Sequence, residues 1–432
     1  MYPKIVPVSG NIELIQNSGI QFVDYDVIAD WQTEDKYSVI NRIKKGYFIK
    51  EKDGSFVRLL PDMNVEKGMY NPFKKDVKIY DAEITMELAT SLELYEGLWF
   101  PVPYVNSTKK SNTDEKLPTN WVRARIVRVT DKDAINECKR RNSQYDHIET
   151  EDVECDPLKD VPRDDRYVFS VSDRKSKPCY YRVVLAFDTA TQENDSTRYF
   201  APTEEDVDAG YPFELAYSAD NYADFIYSRD DNGGSDAEPY NDRNKWIWEW
   251  TEKVFKDLYR ERIKARIDDE SFEKLLEDKE HHLHYLNVLA FIGMMIKPQP
   301  VRIIANKTAS APVYRSKDIG VSLVLDIGNA RSCAIMVEEN SDSTAQADNF
   351  LNSYPLQIRD LNTPEKVYEG PFTSRVEFTR ANFDYDGTSA RSGRNNAFIW
   401  PSMVRVGAEA DNLALLREGS EGMSGMVSPK RY

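Results

Sequence analysis

The sequence is poor in the residues that build metal centres and disulfide scaffolds, with four cysteines and four histidines among 432 residues. Cys138, Cys155, Cys179 and Cys333 form no CxxC pair and no compact framework, which argues against a zinc ribbon or a stapled fold. Reduced thiols of this kind fit a cytoplasmic protein. Long apolar runs are missing too. The longest stretch without a polar side chain, residues 288–296, falls well short of the roughly 20 residues that cross a bilayer. The opening MYPKIVPVSGNIELIQ lacks the apolar core of a secretory signal. The expectation is a protein without membrane insertion. A basic surplus is also lacking, since 57 Lys and Arg face 73 Asp and Glu, a net charge of −16. Such a surface repels phosphate backbones, so nucleic acid is not an expected partner. A bound nucleotide is still allowed, because a local nest of main-chain N–H groups can hold phosphate on an acidic protein.

What is present is enough for sizeable cores: 41% of residues are hydrophobic and 12% aromatic. The spacing predicts an α+β chain. Residues 1–227 read as a β-rich region, 228–310 as an acidic loop and helical segment, and 311–432 as a separate lobe. Within the first region, WVRARIVRVT (residues 121–130) alternates apolar and basic residues and then slips phase. A bulge near Ile126 and Val127 explains the slip, and a strand buried on both faces is the alternative. YYRVVLAFDT (residues 180–189) is a second strand, whereas LWFPVPYV (residues 98–105) reads as a proline-broken edge or loop. The charged residues 131–165 predict an exposed helix and a loop.

Residues 228–244 (SRDDNGGSDAEPYNDRN) fail as a calcium loop, because placing Gly233 at the glycine position puts Pro239 where the bidentate Glu belongs. A solvated linker is the expectation. Next, Trp246, Trp250, Val254 and Leu258 recur at helical spacing, with Phe255, Tyr259 and Ile263 beside them. That stripe predicts core packing over a docking face for a protein partner. A second helix is expected from Ser271 to Ile296, with Ser271 as its cap, ended by Pro298 and Pro300. His281, His282 and His284 fall there, and without a Cys or Glu-x-x-His partner they point to structural roles over metal ligation.

Chemistry concentrates in LVLDIGNARSCAIMV (residues 323–337). Two apolar runs flank a short polar turn, predicting a hairpin of buried strands. Gly328 lets the backbone approach a ligand, and the N–H groups of Asn329, Ala330 and Arg331 can line a nest for anionic oxygens. A carboxylate at Asp326 beside phosphate makes sense when Mg²⁺ with its waters lies between them.

This stretch resembles the first phosphate motif of the actin, hexokinase and heat-shock-chaperone superfamily, of the form apolar-Asp-x-Gly-small-x-x-Ser/Thr. The resemblance implies an actin-like (RNase H-like) α/β nucleotide-binding domain that takes ATP and Mg²⁺. Asp326 would orient the hydrated metal, and Asn329 to Arg331 would contact the phosphates. Asn329 and Ala330 depart from the chaperone pattern, in which hydroxyl residues stand at both positions, and Ala330 keeps only its main-chain N–H. IWPSMVRVGAEA (residues 399–410) and SGMVSPKR (residues 424–431) follow in the chaperone order. By that resemblance Lys430 would approach the γ-phosphate and assist hydrolysis. The interval between, residues 338–396, reads as inserted loops, with Arg391 and Arg394 as exposed arginines. Over its whole length the chain resembles the SrfB-like virulence-factor family. IQNSGIQFVDYD (residues 15–26), YRVVLAFDT with FAPTEEDVDAG, LVLDIGNARSCAIMVE and the final SPKRY carry that likeness. The superfamily's second phosphate hairpin and adenosine segment are not expected within residues 311–432. Partial-lobe content predicts ATPase competence only in a longer form, and a non-catalytic role in a virulence-related assembly is the alternative.

Overall fold

The computed structural model describes residues 10–29, 42–44, 48–50, 56–58, 83–85, 88–106, 118–150, 153, 178–191, 202–217, 246–277, 280–305, 321–338, 353–392, 397–416 and 425–427. The protein is mixed α+β, and its contacts divide it into two compact units. The larger comprises Lys4–Ala305 with Asp384–Phe398; the smaller comprises Met1–Pro3, Asn306–Phe383 and Ile399–Tyr432. Among the described residues, no helix is long and apolar enough to cross a membrane.

The larger unit is built on one sheet. Its strands are β1 (Ile12–Ile15), β2 (Ile20–Ala29), β3 (Phe100–Asn106), β4 (Pro118–Arg128), β5 (Cys179–Asp188), β6 (Pro212–Leu215) and β7 (Val301–Ile304). They run in the order β1-β7-β6-β3-β4-β5-β2. Only β1 and β7 are parallel; the other neighbours are antiparallel. The two outermost strands are consecutive in sequence, joined by residues 16–19. Six strand spacings would separate them by about 29 Å in a flat sheet, and the link reaches about 18 Å. The sheet must therefore roll until its edges approach. The link itself ties the two sides: Gln16 N–H donates to the Ile304 carbonyl (2.9 Å), and Asn17 N–H donates to that of Thr189 (3.0 Å).

Two sequence expectations are corrected here. Pairing of β4 with β5 runs without a slip from Arg123 to Arg128, so no bulge lies at Ile126 and Val127. The phase slip instead reflects burial on both faces of residues 121–127, of which only Arg125 is part-exposed. The irregularity falls at Tyr104 and Val105 of β3. Residues 100–106, read as an edge or loop, form an interior strand. Its prolines are tolerated because their main-chain groups point to the side where β6, paired only with Tyr104, Val105 and Asn106, has ended. There the Pro103 carbonyl accepts from Ala216 N–H (2.9 Å) and the Pro101 carbonyl from the Tyr285 hydroxyl (2.8 Å).

This unit also holds helices α1 (Leu88–Tyr95), α2 (Lys132–Arg141), α3 (Glu204–Ala209), α4 (Trp246–Arg262), α5 (Asp269–Glu277) and α6 (Glu280–Phe291), and two short ladders pairing Arg42–Lys44 with Glu83–Thr85 and Phe48–Lys50 with Phe56–Arg58. The charged segment does start as a helix, capped by Asp131, whose carboxylate accepts from Ala134 N–H (2.8 Å). The aromatic stripe of α4 is core: Trp250, Val254, Phe255 and Tyr259 are fully buried, and the Trp121 and Trp246 rings lie 4.9 Å apart. The single helix expected over residues 271–296 is instead α5, α6 and a π-helical turn, Ile292–Ile296. Asp268, not Ser271, accepts the first N–H of α5, from Ser271 (2.8 Å).

The histidines of α6 are interior. His281 Nδ1 meets Thr251 Oγ1 (3.0 Å) and His284 Nδ1 meets Ser91 Oγ (3.0 Å), while His282 stacks on Trp248 at 4.1 Å. Burial holds the His282 ring well below the usual imidazole range and pushes His284 down to about 3.

Asp384–Phe398 packs onto the larger unit although both flanking stretches belong to the smaller one. Arg123 of β4 is fully buried, with Nε 2.9 Å from Asp384 Oδ1, Nη2 3.2 Å from Ser389 Oγ and its guanidinium 4.3 Å from the Phe398 ring centre. Phe398 N–H donates to Asp188 Oδ2 (2.9 Å), and Trp250 Nε1–H donates to the Tyr385 carbonyl (3.1 Å). Helix α7 (Thr388–Arg391) lies within this strap.

The smaller unit contains β8 (Val321–Ile327), β9 (Arg331–Glu338), β10 (Ser353–Pro355), β11 (Gln357–Arg359), β12 (Val367–Glu369), β13 (Phe372–Thr373), β14 (Arg375–Phe378), β15 (Val404–Val406), α8 (Gly407–Leu415) and β16 (Met426–Val427). Residues 338–396, expected as loops, thus carry several short strands. β9 lies between β8 and β10 and also pairs with β13, β11 pairs with β12, and β14 lies between β15 and β16.

Candidate functional site

The expected hairpin forms. β8 and β9 pair antiparallel from Val321 opposite Glu338 to Ile327 opposite Ser332, leaving residues 328–331 as the turn. Gly328 N–H donates to the Arg331 carbonyl (3.0 Å) and closes the bend. A Cβ at Gly328 would sit 2.3 Å from that oxygen, so only glycine fits. Gly328→Ala is expected to open the turn and cost about 1–3 kcal/mol, read as a lowered urea midpoint.

Asp326, Asn329, Ala330 and Arg331 are all exposed, so the bend is open to solvent. Among the described residues, the Asn329 and Ala330 N–H groups find no hydrogen-bond acceptor. Asp326 stands opposite Cys333, one residue inside the end of the ladder. The turn is braced by Ser374, which lies between β13 and β14: its Oγ–H donates to the Gly328 carbonyl (2.7 Å) and lies 2.8 Å from Ser332 Oγ. Ser374 N–H donates to the Ala330 carbonyl (2.9 Å), fixing the peptide that carries the Arg331 N–H. No periodicity or motif marks Ser374, and the sequence reading missed it.

The flanking strands differ from expectation. The apolar run Leu323–Leu325 was expected to be buried, yet each residue is 52–60% exposed, as are Val321 and Ile327 beside it. Side chains on both faces of β8 are exposed, as are Ile335 and Met336 of β9, so among the described residues no element covers this part of the hairpin.

A family model for the virulence factor SrfB matches residues 1–151 and 167–432. The chain belongs to the SrfB family. The match runs through both compact units and covers every residue of the hairpin. No curated protein and no solved structure matches.

Other sequence candidates in this SrfB-family chain are placed less completely. Lys430 lies outside the described residues, as do Arg394, Cys155 and the acidic residues 228–244. Pro401 and Ser402 are exposed, and Ser402 Oγ accepts from Val404 N–H (3.1 Å) at the start of β15. Arg391 pairs with Asp386 of its own strap (3.1 Å), which gives it a structural partner in place of a bound anion.

Proposed function

We propose that the turn at residues 328–331 holds the phosphates of Mg-ATP, in a site of the actin and heat-shock-chaperone type. The observation that carries this reading is the pair of acceptor-free N–H groups at Asn329 and Ala330 on an open, glycine-closed bend. Two adjacent main-chain donors are the donor set an anionic oxygen requires. Asp326, exposed beside them, suits a hydrated Mg²⁺ and would be repelled by bare phosphate. The metal, when bound, would supply neutralisation of phosphate charge. The chain's own residues do the rest: the bend orients the donors, Ser374 keeps the bend rigid, and Lys430 is the residue assigned to the γ-phosphate by resemblance.

Calorimetry with Mg-ATP tests the assignment. Asp326→Ala is expected to weaken Mg²⁺-dependent binding about 10–100-fold, the usual cost of losing a residue that positions a metal through its ligands. Absence of binding to the unsubstituted chain, or equal affinity in the variant, defeats it.

A further inference from the structure

The smaller unit contains a second polar site, remote in sequence from the phosphate turn. A cavity of about 350 Å³ beside α8 is lined by Asp360, Lys366, Glu409, Asn412, Leu415 and Leu416, among others. That volume lies at the lower end of small-molecule sites.

Its floor is organised by Glu409, which is only 3% exposed. Glu409 Oε1 accepts from the N–H groups of Leu361 and Asn362, both at 3.0 Å, which clamps residues 360–366 onto α8. Oε2 has no hydrogen-bond partner and is not sealed in protein, so it faces the cavity. The Asp360 oxygens are already used, by Asn362 and Thr363 N–H and by the Tyr368 hydroxyl. On the same lining, Lys366 is half-buried and, among the described residues, makes no ion pair. Glu409 and Lys366 therefore line one cavity without pairing to each other, Arg405 lying 3.7 Å from the other oxygen of Glu409, and the exposed Leu415 and Leu416 side chains form an apolar margin.

We propose that this cavity binds a small apolar α-amino acid, its ammonium on Glu409, its carboxylate on Lys366 and its side chain against Leu415 and Leu416. The three features of such a zwitterion match the three features of the lining. Burial first, and then the charge of Asp360, push the Glu409 carboxyl up to about 7. The other charged groups on the packed elements are Arg405, 3.7 Å from Oε1, the Arg375–Glu377 pair of β14, and Asp411 of α8, engaged by Thr373. An ammonium ligand needs the carboxylate form, so affinity should fall by up to about tenfold per pH unit below 7.

The test titrates the chain with L-leucine, isopentylamine and 4-methylpentanoate, followed by calorimetry or ligand-observed NMR. Leucine is expected to bind at least about tenfold more tightly than either single-charge analogue. Glu409→Gln should abolish binding while its amide oxygen still accepts from Leu361 and Asn362, and half-exposed Lys366→Met should weaken it without unfolding. No leucine binding, an analogue binding as well as leucine, or insensitivity to both substitutions overturns the proposal. These outcomes are independent of Mg-ATP, which is assigned to a different turn.

Discussion

Asp384→Ala should destabilise the larger unit by about 3–5 kcal/mol, the cost of stranding a buried charge. Arg123 has no solvent access, and Asp384 is the carboxylate that faces its guanidinium, 2.9 Å from Nε. Removing it leaves a cation whose partners among the described residues are the Trp121 carbonyl, Ser389 Oγ and the Phe398 ring. Ser389 N–H also loses its acceptor, Asp384 Oδ2. The charge, more than the hydrogen bonds, is the dominant cost. Adding Arg123→Leu to Asp384→Ala should therefore recover most of the loss, because a buried ion pair replaced by apolar packing is often near neutral. Urea unfolding followed by tryptophan fluorescence reads both, with Trp250 bonded directly to the strap. A single-variant loss under about 1 kcal/mol would place the strap outside the cooperative unit.

Acid should unfold the same unit earlier than its carboxylates alone require. His284 is neutral and buried, with a folded value of about 3 against 6.5 when exposed, and His282 is shifted in the same direction. Below pH 6.5 the unfolded chain binds protons that the folded chain refuses. Stability is thus full above about 6.5 and drains away as the pH falls toward 3. For His284 alone the loss at pH 5 is on the order of 2 kcal/mol, at 1.36 kcal/mol per unit. His284→Gln should flatten the dependence between pH 7 and pH 5. Equal urea midpoints for the unsubstituted protein at those two pH values would contradict the burial of these rings.

Local chemistry was the legible part of this sequence. The helix at the start of the charged segment, the α4 stripe and the hairpin around Gly328 each follow from patterns confined to a few neighbouring residues. What could not be read depends on distant partners. Pro101 and Pro103 look strand-breaking until the early end of β6 frees their side of the sheet. Rolling of the sheet follows from pairing Ile12–Ile15 with Val301–Ile304, nearly 300 residues apart in sequence. Ser374 and Asp384 are unremarkable until long-range contacts give them partners. The apolar strand Val321–Ile327 shows the opposite error. Its composition reads as a buried strand, while among the described residues nothing covers either of its faces.

Hydrogen exchange over residues 325–332, with and without Mg-ATP, probes the nucleotide assignment at the atoms that matter. The amides of Asn329 and Ala330 should exchange freely in the apo chain and slow markedly with Mg-ATP, and Asp326→Ala should erase the protection. Nucleotide bound with these two amides still exchanging at their apo rates would place the phosphates elsewhere and contradict the account.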